Sequence, residues 1–173
     1  MRRSLILTSA GALLFGAASS FLTGVVAPVP GLAHEGHDHG AFSAGEPGDP
    51  KKPARVIKVR MREEGNKKFF EPARIEVRRG EQIRFALQND GGGPHEFVLA
   101  TAAENRKHAD EMKKLPEMEH DDPNAKRVQA STGAELVWKF TKRGEFQFAC
   151  VIPGHYDAAM FGAVVVKCPR TLA

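Results

Sequence analysis

Four residues of this sequence carry side chains that suit a single metal ion. Cys150, His155 and Met160 form a C-x4-H-x4-M pattern, and His95 lies far upstream after a Gly-Pro pair. One thiolate, two imidazoles and a thioether are the ligands of a mononuclear type 1 copper site, in which the thioether is a long, weak axial ligand. The four residues therefore predict a copper centre that accepts and donates one electron.

Residues 1–33 predict an export signal. Arg2 and Arg3 precede a nearly uncharged stretch of apolar and small residues, which ends at Ala33 with small residues at the positions that a signal peptidase reads. We expect cleavage after Ala33 and a mature protein in the periplasm without a membrane span. An uncleaved anchor of about 20 apolar residues is the alternative. The arginine pair also resembles a twin-arginine signal, so the Sec and twin-arginine routes both stay open.

The two cysteines admit two interpretations. In an exported protein, Cys150 and Cys168 would first suggest a disulfide. A disulfide would remove the thiolate that the metal pattern needs, so we predict that Cys150 remains a thiol. Cys168 is then a second thiol whose role the sequence does not define.

The charge of the chain is too small to indicate a nucleic-acid-binding protein. Its 173 residues carry a formal net charge of +4, and removal of Arg2 and Arg3 with the signal lowers this to +2. Local pairs of lysine and arginine are typical of solvated faces. The length allows one domain with extensions, which we expect to be a monomer.

Residues 34–53 predict a disordered, histidine-rich tail, because they carry Gly, Pro, Asp and His without an apolar period. Cleavage after Ala33 would give His34 a free α-amine beside its imidazole. His37 and His39 lie close enough in sequence to add ligands. The tail is therefore a candidate secondary copper site, and a solvated tail without metal is the alternative.

Residues 54–173 predict the folded domain. Apolar residues recur at spacing two through most of this range, as they do in half-buried strands. Seven or eight short strands separated by turn signals predict an all-β protein, an antiparallel β-sandwich. Cys150 continues the alternation of Phe146 and Phe148, so we expect it to face inward at a strand end.

One segment, at about residues 101–123, interrupts the β pattern. Thr101 and Glu104 have the spacing of a capping box, which predicts a helix that extends to about Leu115 and stops at Pro116. We expect this insertion to cross between the two sheets.

The insertion also carries a second group of candidate copper ligands. His108 and Met112 are four residues apart and share a helix face, and Met118 and His120 follow Pro116. Thioethers suit Cu(I) and imidazoles suit Cu(II), so these residues could form a secondary copper site. Packing of Met112 and Leu115 onto the sheet is the alternative.

The sequence is similar to the cupredoxins, the family of plastocyanin, azurin and pseudoazurin. The likeness covers about residues 54–167 and includes the Phe70-Glu71-Pro72 opening. It implies a Greek-key β-sandwich with one type 1 copper ion, and it implies that His155 is the port for electrons. The ligands that it implies are His95, Cys150, His155 and Met160.

A narrower resemblance is to exported cupredoxins associated with bacterial copper tolerance, which share the histidine-rich start and the inserted segment. One position departs from plastocyanin and azurin. Glu96 follows the first histidine, where those proteins have an asparagine that braces the thiolate loop. The sequence therefore does not define whether the copper spectrum is blue or green, nor the reduction potential.

Two functions follow from these observations. The first is copper tolerance or homeostasis in the periplasm, for which the tail and the insertion argue. The second is a soluble electron shuttle between respiratory or photosynthetic complexes, which needs a redox partner protein. We expect no enzyme beyond weak Cu(I) oxidation, because with His95 and His155 committed, the folded body retains only His108 and His120 for a second copper type.

Overall fold

Two five-stranded sheets form the fold, and in most strands alternating apolar side chains form one inner face. The computed structural model describes residues 42–116 and 122–168. The strands are β1 Glu46–Pro47, β2 Arg55–Glu64, β3 Lys67–Glu71, β4 Arg74–Arg78, β5 Gln82–Asn89, β6 His95–Ala100, β7 Ala125–Val128, β8 Gly133–Lys139, β9 Gly144–Ala149 and β10 Phe161–Lys167. One helix, α1, spans Ala102–Met112 between β6 and β7.

The predicted β-sandwich with one inserted helix is confirmed, but the described residues form ten strands where seven or eight were predicted. One sheet has the order β1-β8-β5-β2-β3 and the other the order β4-β10-β9-β6-β7. Two pairs, β2 with β5 and β4 with β10, are parallel rather than antiparallel as predicted. After β3 the chain forms β4 in the other sheet and then returns to place β5 beside β2. Such a crossover, unlike a hairpin, allows parallel neighbours.

Part of the predicted tail is ordered, so the expectation of disorder up to Pro53 is wrong for residues 42–53. Phe42 packs edge-on against Trp138 at 5.3 Å between ring centroids, Ala44 is buried, and β1 pairs with β8. A single aromatic anchor and a two-residue strand give no apolar period, which explains why the sequence pattern did not reveal them. His34, His37 and His39 lie outside the described residues.

The aromatic core lies directly beneath the end of the sandwich that carries Cys150. Phe97 and Phe148 stack at 5.2 Å between centroids, and Phe70 meets Phe148 edge-on at the same distance. Cys150 and Met160 belong to this buried cluster. Each buried phenylalanine contributes about 1.5–3 kcal/mol of hydrophobic free energy, so these residues rest on a strongly packed base.

The predicted capping box opens α1. The Thr101 side chain accepts from Glu104 N–H, and the Glu104 carboxylate accepts from Thr101 N–H. The helix ends at Met112, before the predicted end at Leu115. It leads to β7, which pairs with β6 in the same sheet, so the insertion does not cross between the sheets as predicted. No helix among the described residues is long and apolar enough to span a membrane.

Candidate metal centre

Three side chains from two distant parts of the chain meet at one end of the sandwich. His95 begins β6, Cys150 directly follows β9, and His155 lies in the loop between β9 and β10. The Nδ1 atoms of the two histidines are 3.3 Å apart, and Cys150 Sγ lies 3.3 Å from His155 Nδ1 and 3.9 Å from His95 Nδ1. His95 and Cys150 are 0% exposed, whereas His155 is partly exposed.

The triangle of ligand atoms has the size that a bound metal ion requires. Nitrogen ligands about 2.0 Å and a sulfur ligand about 2.3 Å from an ion in one trigonal plane would lie about 3.5–3.8 Å apart. The observed separations of 3.3–3.9 Å match this range closely. A thiol and two imidazoles therefore fit a metal with little movement.

The loop after Cys150 closes on itself through backbone hydrogen bonds. Cys150 N–H donates to Met160 O, and Met160 N–H donates to His155 O, each at 3.0 Å. Gly154 has a φ of 84°, which favours glycine, and the turn brings His155 N–H within 2.9 Å of Ile152 O. Met160 is fully buried with Cys150; its thioether as axial ligand stays a prediction.

The loop before His95 is held by Asn89, which the sequence analysis missed. The buried Asn89 side chain donates to Gly93 O at 2.8 Å and to Val128 O at 2.9 Å, and it accepts from Gly91 N–H at 2.9 Å. A signal was present, because Asn89 continues the inward-facing spacing of Phe85 and Leu87 on β5. A polar residue on an apolar face usually has a fixed hydrogen-bonding role.

Burial sets the protonation of the site. It raises the pKa of the Cys150 thiol to about 12, although Glu96 N–H, 3.4 Å from Sγ, opposes this shift. Burial, with a smaller contribution from the nearby His95, lowers the pKa of His155 to about 4. At neutral pH without metal, the site therefore holds a neutral thiol and neutral imidazoles, and the cysteine is the one group of the three that must lose a proton to bind a metal.

The comparison with protein families identifies the metal. A family model described as copper-binding proteins of the plastocyanin/azurin family matches residues 57–167. The chain belongs to this family. Copper is therefore its cofactor, and the donor set of one sulfur and two nitrogens in the structure agrees with a type 1 site.

Relatives and solved structures agree with this family. The chain is 47% identical over 146 residues to the copper-resistant cuproprotein CopI of Rubrivivax gelatinosus, covering 78% of this chain and 87% of that protein. It is 34% identical to CopI of Pseudomonas aeruginosa, covering 87% and 95%. Auracyanin B has a similar fold, with a TM-score of 0.56, 23% identity and coverage of 73% of this cupredoxin and 98% of that chain.

Of the secondary copper candidates, the two that the structure describes, His108 and Met112, do not join the triangle. Met112 is buried in an apolar cluster with Val98, Ala109 and Val151, as the packing alternative expects, and His108 is partly buried one turn earlier. Met118 and His120 lie outside the described residues.

The predicted absence of a disulfide is confirmed: Cys150 and Cys168 are both free thiols, and Arg143 Nη1 lies 3.1 Å from the exposed Cys168 Sγ.

Helix α1 holds the part of the ligand loop that follows His155. Asp157 pairs with Arg106 at 3.1 Å and with Lys113 at 2.9 Å. The Tyr156 hydroxyl donates toward Ala102 O at 3.3 Å, and the Arg106 guanidinium lies 4.6 Å from the centroid of the tyrosine ring. The insertion of this cupredoxin therefore supports the loop that carries one candidate ligand.

Replacing Asp157 with alanine should loosen the loop without unfolding the domain. Exposed ion pairs contribute about 0.2–1 kcal/mol, so global stability should change by less than about 1 kcal/mol, and hydrogen exchange at the Ala158 and Ala159 amides should become about two- to fivefold faster. Asp110→Ala is the matched control, because it removes an ion pair of Lys113 at 2.9 Å that does not involve the loop. Equal exchange rates in the two variants would contradict the role of the helix.

Copper(II) affinity should increase with pH. The Cys150 thiol has a pKa of about 12 in the folded protein and His155 one of about 4. Between these values binding displaces about one proton, so the affinity should rise about tenfold per pH unit, and below about pH 4 the dependence should become steeper. Competition titrations between pH 5 and pH 8 would measure the slope, and Cys168→Ser should leave it unchanged. An affinity independent of pH in this range would contradict the assignment of the proton to Cys150.

Proposed function

We propose that this protein is a periplasmic copper-binding protein of copper tolerance or homeostasis, with one redox-active type 1 copper. His95, Cys150, His155 and Met160 would hold the ion. The observation that supports the proposal is the triangle of one sulfur and two nitrogens, in which His95 and Cys150 are buried and His155 is partly exposed. The similarity to proteins described as copper-resistant cuproproteins supports the tolerance role.

The residues of the chain define what the site does. Bound copper supplies a one-electron couple between Cu(II) and Cu(I). The packed base beneath Cys150 and the closed ligand loop hold the donor atoms in one arrangement, so little movement accompanies electron transfer. The fully buried His95 keeps water from one side of the site, whereas the partly exposed His155 offers a route for electrons.

The proposal includes no enzymatic turnover beyond weak oxidation of Cu(I). That reaction would take external Cu(I) as its substrate and would need a redox partner protein as the final electron acceptor. His34, His37, His39, His108, Met112, Met118 and His120 remain candidates for additional copper.

A soluble electron shuttle is the second candidate function. The partial exposure of His155 at the candidate centre favours it, because an exposed ligand edge suits contact with a partner protein. A shuttle requires one partner protein that donates electrons and another that accepts them, whereas a tolerance protein that binds excess copper requires no partner protein for binding.

Deletion of the gene separates the two functions. Growth in rising copper and respiratory flux would be measured in the parent, in the deletion strain, and in strains complemented with the parent gene, Cys150→Ser or Cys168→Ser. We expect the deletion to increase copper sensitivity, and we expect the parent gene and Cys168→Ser, but not Cys150→Ser, to restore growth. Unchanged copper sensitivity with reduced flux would favour the shuttle and contradict the tolerance role.

A further inference from the structure

We propose that Glu63 is a positioning residue for the copper site, which holds the far side of the His95 imidazole and stabilises Cu(II) relative to Cu(I). The inference rests on the proposed assignment of His95 as a copper ligand. Glu63 is the penultimate residue of β2 and was not singled out by the metal pattern of the sequence.

The orientation of the His95 ring is the first observation. Its Nδ1 atom faces the triangle, 3.3 Å from His155 Nδ1 and 3.9 Å from Cys150 Sγ. Its Nε2 atom, on the opposite edge of the ring, lies 3.3 Å from Glu63 Oε1. A carboxylate beside Nε2 favours the tautomer with the proton on Nε2, which leaves the Nδ1 lone pair for the metal.

The second observation is that the Glu63 carboxylate is itself held in place. Gly92 N–H donates to Glu63 Oε2 at 3.0 Å, and the Lys68 ammonium pairs with Oε1. The antiparallel register of β2 and β3 places Glu63 directly opposite Lys68. The carboxylate therefore has fixed partners on two sides and presents Oε1 to the histidine.

The third observation is the space that a glycine leaves at this point. A Cβ atom on Gly91 would lie 2.7 Å from His95 Nε2, closer than side chains tolerate, and 3.1 Å from Glu63 Cδ. The absence of a side chain at Gly91 therefore permits the approach of carboxylate and imidazole. Asn89, which accepts from Gly91 N–H at 2.9 Å, fixes this part of the loop.

The position of Glu63 in its strand shows that the contact is built into the fold. Val59 and Met61 are fully buried on the inner face of β2, and Glu63 is the next residue on that face. An acid at the end of an apolar face is expected only where it has a partner. Here it has an ammonium, a backbone amide and a candidate metal ligand.

The charge of Glu63 should shift the reduction potential of the copper site in a definite direction. A negative charge beside Nε2–H increases electron donation from the imidazole to the metal, and the more highly charged Cu(II) benefits more than Cu(I). Lys68 offsets part of this charge. Loss of the Glu63 charge should raise the reduction potential, and loss of the Lys68 charge should lower it.

The test compares Glu63→Gln, Lys68→Gln and Glu64→Gln in the copper-loaded full chain, with redox titration and the visible spectrum as readouts. Glu64→Gln is the matched control, because this exposed neighbour contacts Arg62 at 3.1 Å and carries the same charge. We expect Glu63→Gln to raise the ratio of Cu(I) to Cu(II) affinity about tenfold, equivalent to about 59 mV for one electron. Cu(II) affinity should fall about 10- to 100-fold.

The pair of variants separates a tuning role from a structural one. Potentials that move in opposite directions in Glu63→Gln and Lys68→Gln, with Glu64→Gln unchanged, support the proposal. Equal potentials in Glu63→Gln and Glu64→Gln, or shifts of the same sign in Glu63→Gln and Lys68→Gln, overturn it and leave the copper assignment intact. A parent protein without a thiolate–copper absorption band would instead overturn the proposed centre, and this inference with it.

Discussion

Replacement of Cys150 with serine is expected to abolish the intense visible absorption of the copper-loaded protein. That absorption requires a thiolate bound to copper, and a serine hydroxyl does not supply one. Replacing a residue that only hydrogen-bonds to a ligand lowers metal affinity by about 10- to 100-fold. Loss of the ligand itself should therefore lower Cu(II) affinity by more than about 100-fold. Absorption spectra and competition titrations of the parent and the variant measure both effects.

The second cysteine provides the control for this experiment. Cys168 is exposed and lies outside the triangle, so Cys168→Ser should keep the full absorption and affinity. Trp138, the single tryptophan of the chain, is fully buried in the core, and its fluorescence reports whether each variant folds. A folded Cys150→Ser protein that retains the band would remove the cysteine from the copper site.

Copper loading is expected to raise the thermal midpoint of unfolding substantially. His95 and Cys150 are separated by 55 residues in sequence, and only folding brings them together, so the unfolded chain lacks the site. At free copper 1,000 times the dissociation constant, binding stabilises the folded state by about 4 kcal/mol. For a domain of this size, that corresponds to a rise of about 10 °C or more.

Thermal unfolding of the copper-free and copper-loaded protein measures this rise. In Cys150→Ser the rise should fall to about a third or less, because at the same free copper a 100-fold weaker site contributes at most about 1.4 kcal/mol. A rise that persists in full in that variant would place the stabilising copper elsewhere, for which the tail and the insertion are the candidates. Equal midpoints with and without copper in the parent would contradict a site formed by folding.

The sequence predicted the residues of the triangle because most of the pattern that identifies them lies in one short segment. Cys150 and His155 lie in one short segment, and the alternation with Phe148 already predicted that the cysteine faces inward. The remote His95 was recognisable through its Gly-Pro loop and the family resemblance. These features depend on residue type and spacing, which a sequence displays directly.

The supporting residues were missed because their roles depend on tertiary contacts. Glu63 and Asn89 each end an apolar face, and only the arrangement of strands shows which partners they meet. The parallel pairing of β2 with β5 depends on where the chain crosses between sheets, which apolar periodicity does not encode. The anchoring of Phe42 against Trp138 likewise depends on a contact between residues far apart in the chain.

Helix α1 covers an apolar part of the outer face of its sheet, and this limits how the domain could be shortened. All six residues of β6 are buried. Phe97 and Leu99 belong to the core between the sheets. On the outer face, the helix residues Ala109 and Met112 cover Val98, Ala149 and Val151. A minimal version without the helix would present these side chains to water as one contiguous patch, and such patches promote self-association. A designer who removes the helix would therefore need hydrophilic replacements on that face to keep the truncated protein in solution.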